Sequence, residues 1–152
     1  MQEALREAKK AYEADEVPVG AVICHKGRII ARAHNQVRLL KDPTAHAEIL
    51  AITQAADYLK NERLNGCFLY VTLEPCPMCV GAMILARIEH LYFGARDPKA
   101  GACGSVVDLT KAPLNHELRV FEGEGASESA GLLQEFFALK RASAKKGNKL
   151  RL

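Results

Sequence analysis

No stretch of this 152-residue sequence approaches the roughly 20 consecutive apolar residues that a membrane helix needs. The segment from Met1 to Glu16 is rich in Glu, Lys and Arg and has no apolar core, so no secretory signal is expected. Its acidic residues also speak against a mitochondrial presequence. Long polar tracts are missing, which excludes extensive disorder. There is no internal repeat and no linker-like stretch, so residues 1–152 are expected to form one domain. A strong excess of either charge is absent as well. The 21 Lys and Arg exceed the 18 Asp and Glu by enough for a formal net charge of only +3, which permits nucleic-acid binding without demanding it. The five cysteines are an odd number in a chain without an export signal. Reduced thiols in a cytoplasmic setting follow, and there a close cysteine pair is better suited to a metal than to a disulfide.

What is present is a core-forming fraction of 49% hydrophobic residues, arranged in short runs. Leu5, Ala8 and Tyr12 recur at helical spacing, which predicts a helix from Met1 to Ala14. Val19 to Cys24 and Arg28 to Ala33 read as strands joined by a hairpin at Lys26-Gly27. Asp42-Pro43-Thr44 is expected to open a second helix, with Ile49, Leu50, Ile52, Ala56 and Leu59 on or near its buried side. Phe68 to Leu73 and Ile88 to Phe93 are further strands, and Pro77 opens a helix between them. A glycine-rich loop from Gly94 to Gly104 follows, then a candidate fifth strand from Leu118 to Phe121. Ser127 is placed to cap a last helix running toward Lys146. Strands alternating with helices predict a layered α/β domain with helices on both faces of a sheet.

Two short segments carry the chemistry. Thr44-Ala45-His46-Ala47-Glu48 lies at the start of one predicted helix, and Glu74-Pro75-Cys76-Pro77-Met78-Cys79 at the start of another. Taken singly, a C-x-x-C pair is also compatible with a redox or structural role, a histidine at a helix start with a cap, and Glu48 with a partner for the helix dipole. Together they spell H-x-E…P-C-x-x-C, the signature of zinc-dependent nucleobase deaminases. Cys76 and Cys79 stand one helical turn apart at a helix N-terminus, where partial positive charge favours thiolates. With His46 they make three ligands for Zn2+, which leaves a tetrahedral position open for water, as catalytic sites require. Glu48, two residues from His46, is placed to move protons without ligating the metal. Cys103 is a conceivable fourth ligand but, with Cys24 and Cys67, reads as a bystander. Lys140, Arg141, Lys145, Lys146, Lys149 and Arg151 crowd the C-terminal end. This basic helix and tail, about residues 128–152, suit either a solvated end or a surface for phosphates.

On these motifs the chain resembles the cytidine/deoxycytidylate deaminase superfamily. The stretches Glu16-Val17-Pro18-Val19-Gly20-Ala21-Val22, His34-Asn35, Asp42 to Ile49 and Gly94 to Ser105 resemble its tRNA adenosine branch. The resemblance implies a three-layer α/β/α cytidine-deaminase-like fold with a central five-stranded mixed sheet. It implies hydrolytic deamination of the wobble adenosine of a tRNA anticodon to inosine by zinc-activated water, with Glu48 as proton shuttle. It also implies a homodimer with one zinc per subunit. Asn35 would hydrogen-bond the flipped base, the Ala47 N–H would face its reacting edge, and Asp97 would lie beside the nucleotide. Phe136, Phe137, Lys140 and Arg141 of the last helix would touch the anticodon loop. Two rivals stand beside this reading: a small-molecule deaminase acting on guanine, cytosine or a nucleotide, and an idle RNA-binding module with structural zinc. The Pro18-Val19-Gly20 stretch and the basic last helix weigh against the first, and Glu48 against the second.

Overall fold

The computed structural model describes the backbone of residues 1–149 and the side chains of residues 1–145. Of the basic tail, the side chains of Lys146 and Lys149, and all of Arg151, lie outside the described residues. The elements run α1 (Gln2–Glu13), β1 (Gly20–His25), β2 (Arg28–His34), α2 (Val37–Leu40), α3 (Ala47–Leu59), β3 (Cys67–Leu73), α4 (Pro77–Leu85), β4 (His90–Ala95), a single 3-10 turn (Leu109–Lys111), β5 (Arg119–Glu122) and α5 (Ala126–Lys149).

The sheet order is β2-β1-β3-β4-β5. β1 is antiparallel to both β2 and β3, whereas β3, β4 and β5 are parallel, so the five-stranded sheet is mixed as expected. Both residues of the Lys26-Gly27 turn have positive φ, 49° and 75°. That is the geometry of a two-residue hairpin whose twist matches its strands. α3 and α4 pack together against one face of the sheet, and α1 and α5 against the other. Strand alternation sets the core. In β3, Cys67, Leu69 and Val71 are fully buried with Leu91 and Phe93 of β4, while Phe68 and Tyr70 are half-buried on the opposite face. Each fully buried large apolar side chain stabilises the fold by about 1.5–3 kcal/mol. Among the described residues no helix is long and apolar enough to cross a membrane.

The structure departs from the sequence reading at three places. Asp42-Pro43-Thr44 does not open a helix. The Asp42 carboxylate accepts both the backbone N–H of Thr44, at 2.8 Å, and its hydroxyl, at 2.7 Å, and closes a turn. The helix starts later, at Ala47, with His46 as its N-cap. A four-residue helix, α2, stands where no helix was expected. It lacks a cap of its own, and the buried Glu16 carboxylate accepts the N–H of Arg38 at 2.9 Å and of Leu39 at 2.8 Å in its place. Ser127 lies inside the first turn of α5 instead of capping it. The serine that matters there is Ser129, fully buried, whose hydroxyl donates to the Thr72 carbonyl at 2.5 Å.

α1 reaches the sheet by a close approach at Gly20. A Cβ on Gly20 would sit 2.1 Å from the Ala4 carbonyl oxygen and 2.4 Å from the Ala8 nitrogen, both backbone atoms. The small residues Ala4, Ala8 and Ala11 line the buried stripe of α1 for the same reason. The far side of α1 is tied to α5 by Tyr12 Oη donating to Glu135 at 2.8 Å and by the Lys9–Glu128 ion pair at 3.1 Å. Gly20→Ala should therefore push α1 off the sheet and lower stability by at least about 2 kcal/mol, toward the upper range for overpacking. Chemical denaturation checks this as a lower midpoint with an unchanged slope.

Candidate active site

Both halves of the motif are delivered by helix starts. His46 is the N-cap of α3 with extended backbone, φ −74° and ψ 151°. Cys76 is the N-cap of α4, φ −75° and ψ 170°, and Pro77 follows inside the first turn, where its missing N–H costs nothing. Cys79, one turn on, is fully buried. His46 Nδ1 lies 3.7 Å from the Cys76 sulfur and 3.5 Å from the Cys79 sulfur. The three ligand atoms all fall within 4.8 Å of one another. Tetrahedral zinc, with bonds of ~2.3 Å to sulfur and ~2.05 Å to nitrogen, would hold sulfur and nitrogen about 3.6 Å apart. The donor set thus fits a zinc ion in chemistry and in spacing. Among the described residues no further His, Cys, Asp or Glu joins this group, so Cys103 is not a fourth ligand. Burial pushes its thiol up to about 12.

Cys79 beside it, and His46 alongside, hold the Cys76 thiol down at about 4. Cys79 is raised, by its contact with Cys76 and by burial. A divalent cation bound here would ionise both thiols, since coordinating thiols lose their protons. Glu48 is buried, at 4% exposure, and burial pushes its carboxyl up to about 7 despite the opposing pull of its own backbone N–H and of His46. A carboxyl poised near neutrality exchanges protons in both directions, as a shuttle must.

His46, Glu48, Cys76, Asn35 and Asp97 all line one cavity of about 490 Å³. Asn35 and Ala47 are bonded to each other. The Asn35 side-chain oxygen accepts the Ala47 N–H at 2.8 Å, so the first free donor of α3 is taken up inside the protein and the asparagine amide is oriented by it. Phe137 and Arg141 are not in this cavity. They line a second one, of about 500 Å³, which shares Val17, Leu73 and Asp97 with the first. Asp97 is thus the residue that the two hollows have in common from the sequence-derived set. Phe137 is 41% exposed, with Lys99 Nζ 5.9 Å from its ring centre. Phe136 is buried and packs edge-on against Tyr12 at 6.0 Å, so it is core and cavity wall at once.

The sequence reading gave Glu74 no task, and the structure gives it a large one. Its carboxylate is 2% exposed and accepts the N–H groups of Asp97 at 3.0 Å, Cys103 at 3.0 Å and Ser105 at 3.1 Å, together with the Ser105 hydroxyl. Burial alone would raise its pKa, but these hydrogen bonds outweigh burial and hold it below the usual carboxylate range. Gly101 makes room, because a Cβ there would lie 2.4 Å from the carboxylate. The Ala102 N–H donates to the Pro75 carbonyl at 2.8 Å. The loop that carries Asp97 is therefore fastened to the strand end that delivers Cys76. The available signal was a glutamate at a strand end directly before a Pro-Cys pair, ahead of a loop rich in glycine.

Glu74→Gln should cost about 2 kcal/mol at neutral pH, the scale of hydrogen bonds to a charged acceptor. A depressed folded-state pKa contributes stability above the unfolded carboxylate range and loses it as pH falls through the folded value. The gap between wild type and variant should accordingly close on acidification. Denaturation curves across pH test this, and hydrogen exchange should show faster exchange at the Asp97, Cys103 and Ser105 amides.

Known proteins resemble this one in sequence and in fold. The model of the MafB19-like deaminase family matches residues 1–148. A tRNA-specific adenosine deaminase of Agrobacterium fabrum is 52% identical over 142 residues, 93% of each chain. One of Bacillus subtilis is 47% identical over 150 residues, 98% of this chain and 93% of that one. A solved structure from work on A-to-I editing by tRNA:A34 deaminases at the wobble position of transfer RNA superposes with a TM-score of 0.84 at 51% identity, over 88% of this chain and 97% of that one. A guanine deaminase of Nitrosomonas europaea gives a TM-score of 0.76 at 28% identity, over 90% of this chain and 82% of that one. Agreement of this extent, along nearly the whole length, is what common descent leaves: the chain belongs to the MafB19-like deaminase family and, within it, to the tRNA-specific adenosine deaminases.

Proposed function

We propose that this protein hydrolyses the wobble adenosine of a tRNA anticodon to inosine, releasing ammonia. The observation that carries the reading is a buried carboxyl, Glu48, in the same cavity as His46 and Cys76. A zinc ion held by His46, Cys76 and Cys79 would polarise a water molecule and lower its pKa. Glu48 would take one proton from that water and pass it to ring N1 while the water oxygen bonds to C6, and would then carry the second proton of that oxygen to the amine, which leaves as ammonia when its bond to C6 breaks. Asn35, fixed by the Ala47 N–H, orients the base, and Asp97 lines the cavity beside the nucleotide. The base must leave its stack to reach this depth, and an anticodon loop is already single-stranded.

The second cavity favours RNA over a free base. Phe137 offers an exposed ring, and Arg96, Lys99 and Arg141 offer cations, in a hollow that adjoins the catalytic one. A nucleotide flanking the target base would use that hollow, and free guanine or cytosine would not.

The working form in this proposal is a cytoplasmic homodimer, one domain and one zinc per subunit. Exposed Leu85 and Leu114 support the dimer, on neighbouring segments joined by Arg87 donating to the Asn115 carbonyl at 2.7 Å. Thiols that must stay reduced to hold a metal support the compartment.

Ammonia release and inosine formation should be seen with an anticodon stem-loop and not with free guanine, cytosine or adenosine. Turnover of guanine alone would overturn the substrate and favour the small-molecule reading. Glu48→Ala should keep zinc and RNA binding while turnover falls at least ~10²–10⁴-fold. Cys76→Ala should lose zinc by elemental analysis, and stability with it, because metal binding is coupled to folding.

A further inference from the structure

Three charged groups meet on the rim of the catalytic cavity. Asp15, Arg38 and Lys140 all line it, and all are substantially exposed, at 57%, 63% and 40% for their side chains, whereas Glu48 lies buried at its floor. One Asp15 carboxylate oxygen accepts from Arg38 and the other from Lys140. Arg38 also donates to the Asp15 carbonyl at 2.9 Å. Lys140, and then Arg38, hold the Asp15 carboxyl below its ordinary range. The contact closes a bridge over the cavity from α2 to α5.

Each member is held in place from behind. Buried Glu16 binds the backbone N–H of Arg38 and fixes the start of α2. Lys140 Nζ lies 5.3 Å from the centre of the buried Phe136 ring. Asp15 follows the end of α1 with φ 61°, at the left-handed position that glycine usually takes after a helix. A carboxylate at that position presents two oxygens to two cations. Two cations on one anion leave a surplus positive charge at the rim.

A backbone phosphodiester has the same pattern, with two non-bridging oxygens sharing one negative charge. We infer that Arg38 and Lys140 form a seat for a backbone phosphate of the RNA at the cavity mouth, and that Asp15 occupies this seat until the RNA displaces it. The inference rests on the RNA reading above and adds to it a built-in competitor. Asp15 lowers affinity for any polyanion that cannot reach deep enough to gain contacts elsewhere, so it favours strands that insert a base.

The test is a titration of a labelled anticodon stem-loop at several salt concentrations with the full-length protein. Asp15→Asn should bind about two- to tenfold more tightly, the worth of two exposed ion pairs. The log–log salt dependence should steepen by at most about 0.7–0.9, because no freed carboxylate takes up cations when the phosphate docks. Asp15→Gly, which suits the left-handed backbone, should behave alike. In an Arg38→Gln/Lys140→Gln background the Asp15→Asn effect should vanish. Glu13→Gln removes the same charge from the neighbouring turn and serves as the field control. Inorganic phosphate should compete no better than chloride of equal ionic strength; specific competition would make the seat one for free phosphate and overturn the assignment to the RNA backbone. An effect no larger than that of Glu13→Gln, or one that survives in the double-variant background, overturns the inference while leaving the RNA reading intact. Failure of the wild-type chain to bind the stem-loop overturns both.

Discussion

The first turns of α3 and α4 converge, and the positive ends of both helices face the point where His46, Cys76 and Cys79 meet. Much of the rest follows from keeping those two ends together. A helix start leaves N–H groups without partners, which makes it hospitable to thiolates and to a carboxyl that must sometimes be ionised. The parallel pair β3 and β4, with α4 crossing between them, brings the cysteine motif to the C-terminal ends of these strands. Antiparallel β1 and β2 return the chain to the same end of the sheet, where Asn35 takes the first N–H of α3. The fully buried residues behind the site, Leu69, Val71, Val80 and Phe93, keep the two helix starts from drifting.

Around that meeting point the protein arranges carboxylates in three different environments. Glu48 is buried, and there burial outweighs the groups that favour its charge and raises its carboxyl to about 7. Glu74 is equally buried but surrounded by donors, and it stays ionised. Asp15 stands at the rim between two cations. The same functional group would serve, on the proposals made above, as proton carrier and as electrostatic guard, and it serves at Glu74 as anchor; only its surroundings differ.

The cluster of His46, Cys76 and Cys79, with Glu48 in the same cavity, was legible because its residues sit in short, fixed spacings within the chain. The order of strands and helices was legible from periodicity, and the Lys26-Gly27 turn from its residue types. What escaped depends on partners distant in sequence. Glu16 caps α2 across 22 residues, and Glu74 reaches 31 residues ahead to Ser105. No local pattern announces which backbone N–H groups the fold will leave unpaired. Asp42-Pro43-Thr44 misled for a related reason, since the residues that favour helix starts also favour the turn that Asp42 closes on Thr44. The paired phenylalanines shared one helical pattern, and only packing separated buried Phe136 from exposed Phe137.

The grip of Glu74 on the loop has a bearing on how this protein can change over generations. A single immobile acceptor meters the distances between Asp97, Cys103 and Ser105 along the chain. Side chains between these points are free to vary wherever they face solvent, but a residue gained or lost there would bring the wrong donors to the carboxylate. Length, more than composition, is what selection must conserve in this segment. Lineages that acquire new substrates would thus be expected to remodel the exposed ring and cations of α5, and to leave the loop's residue count alone.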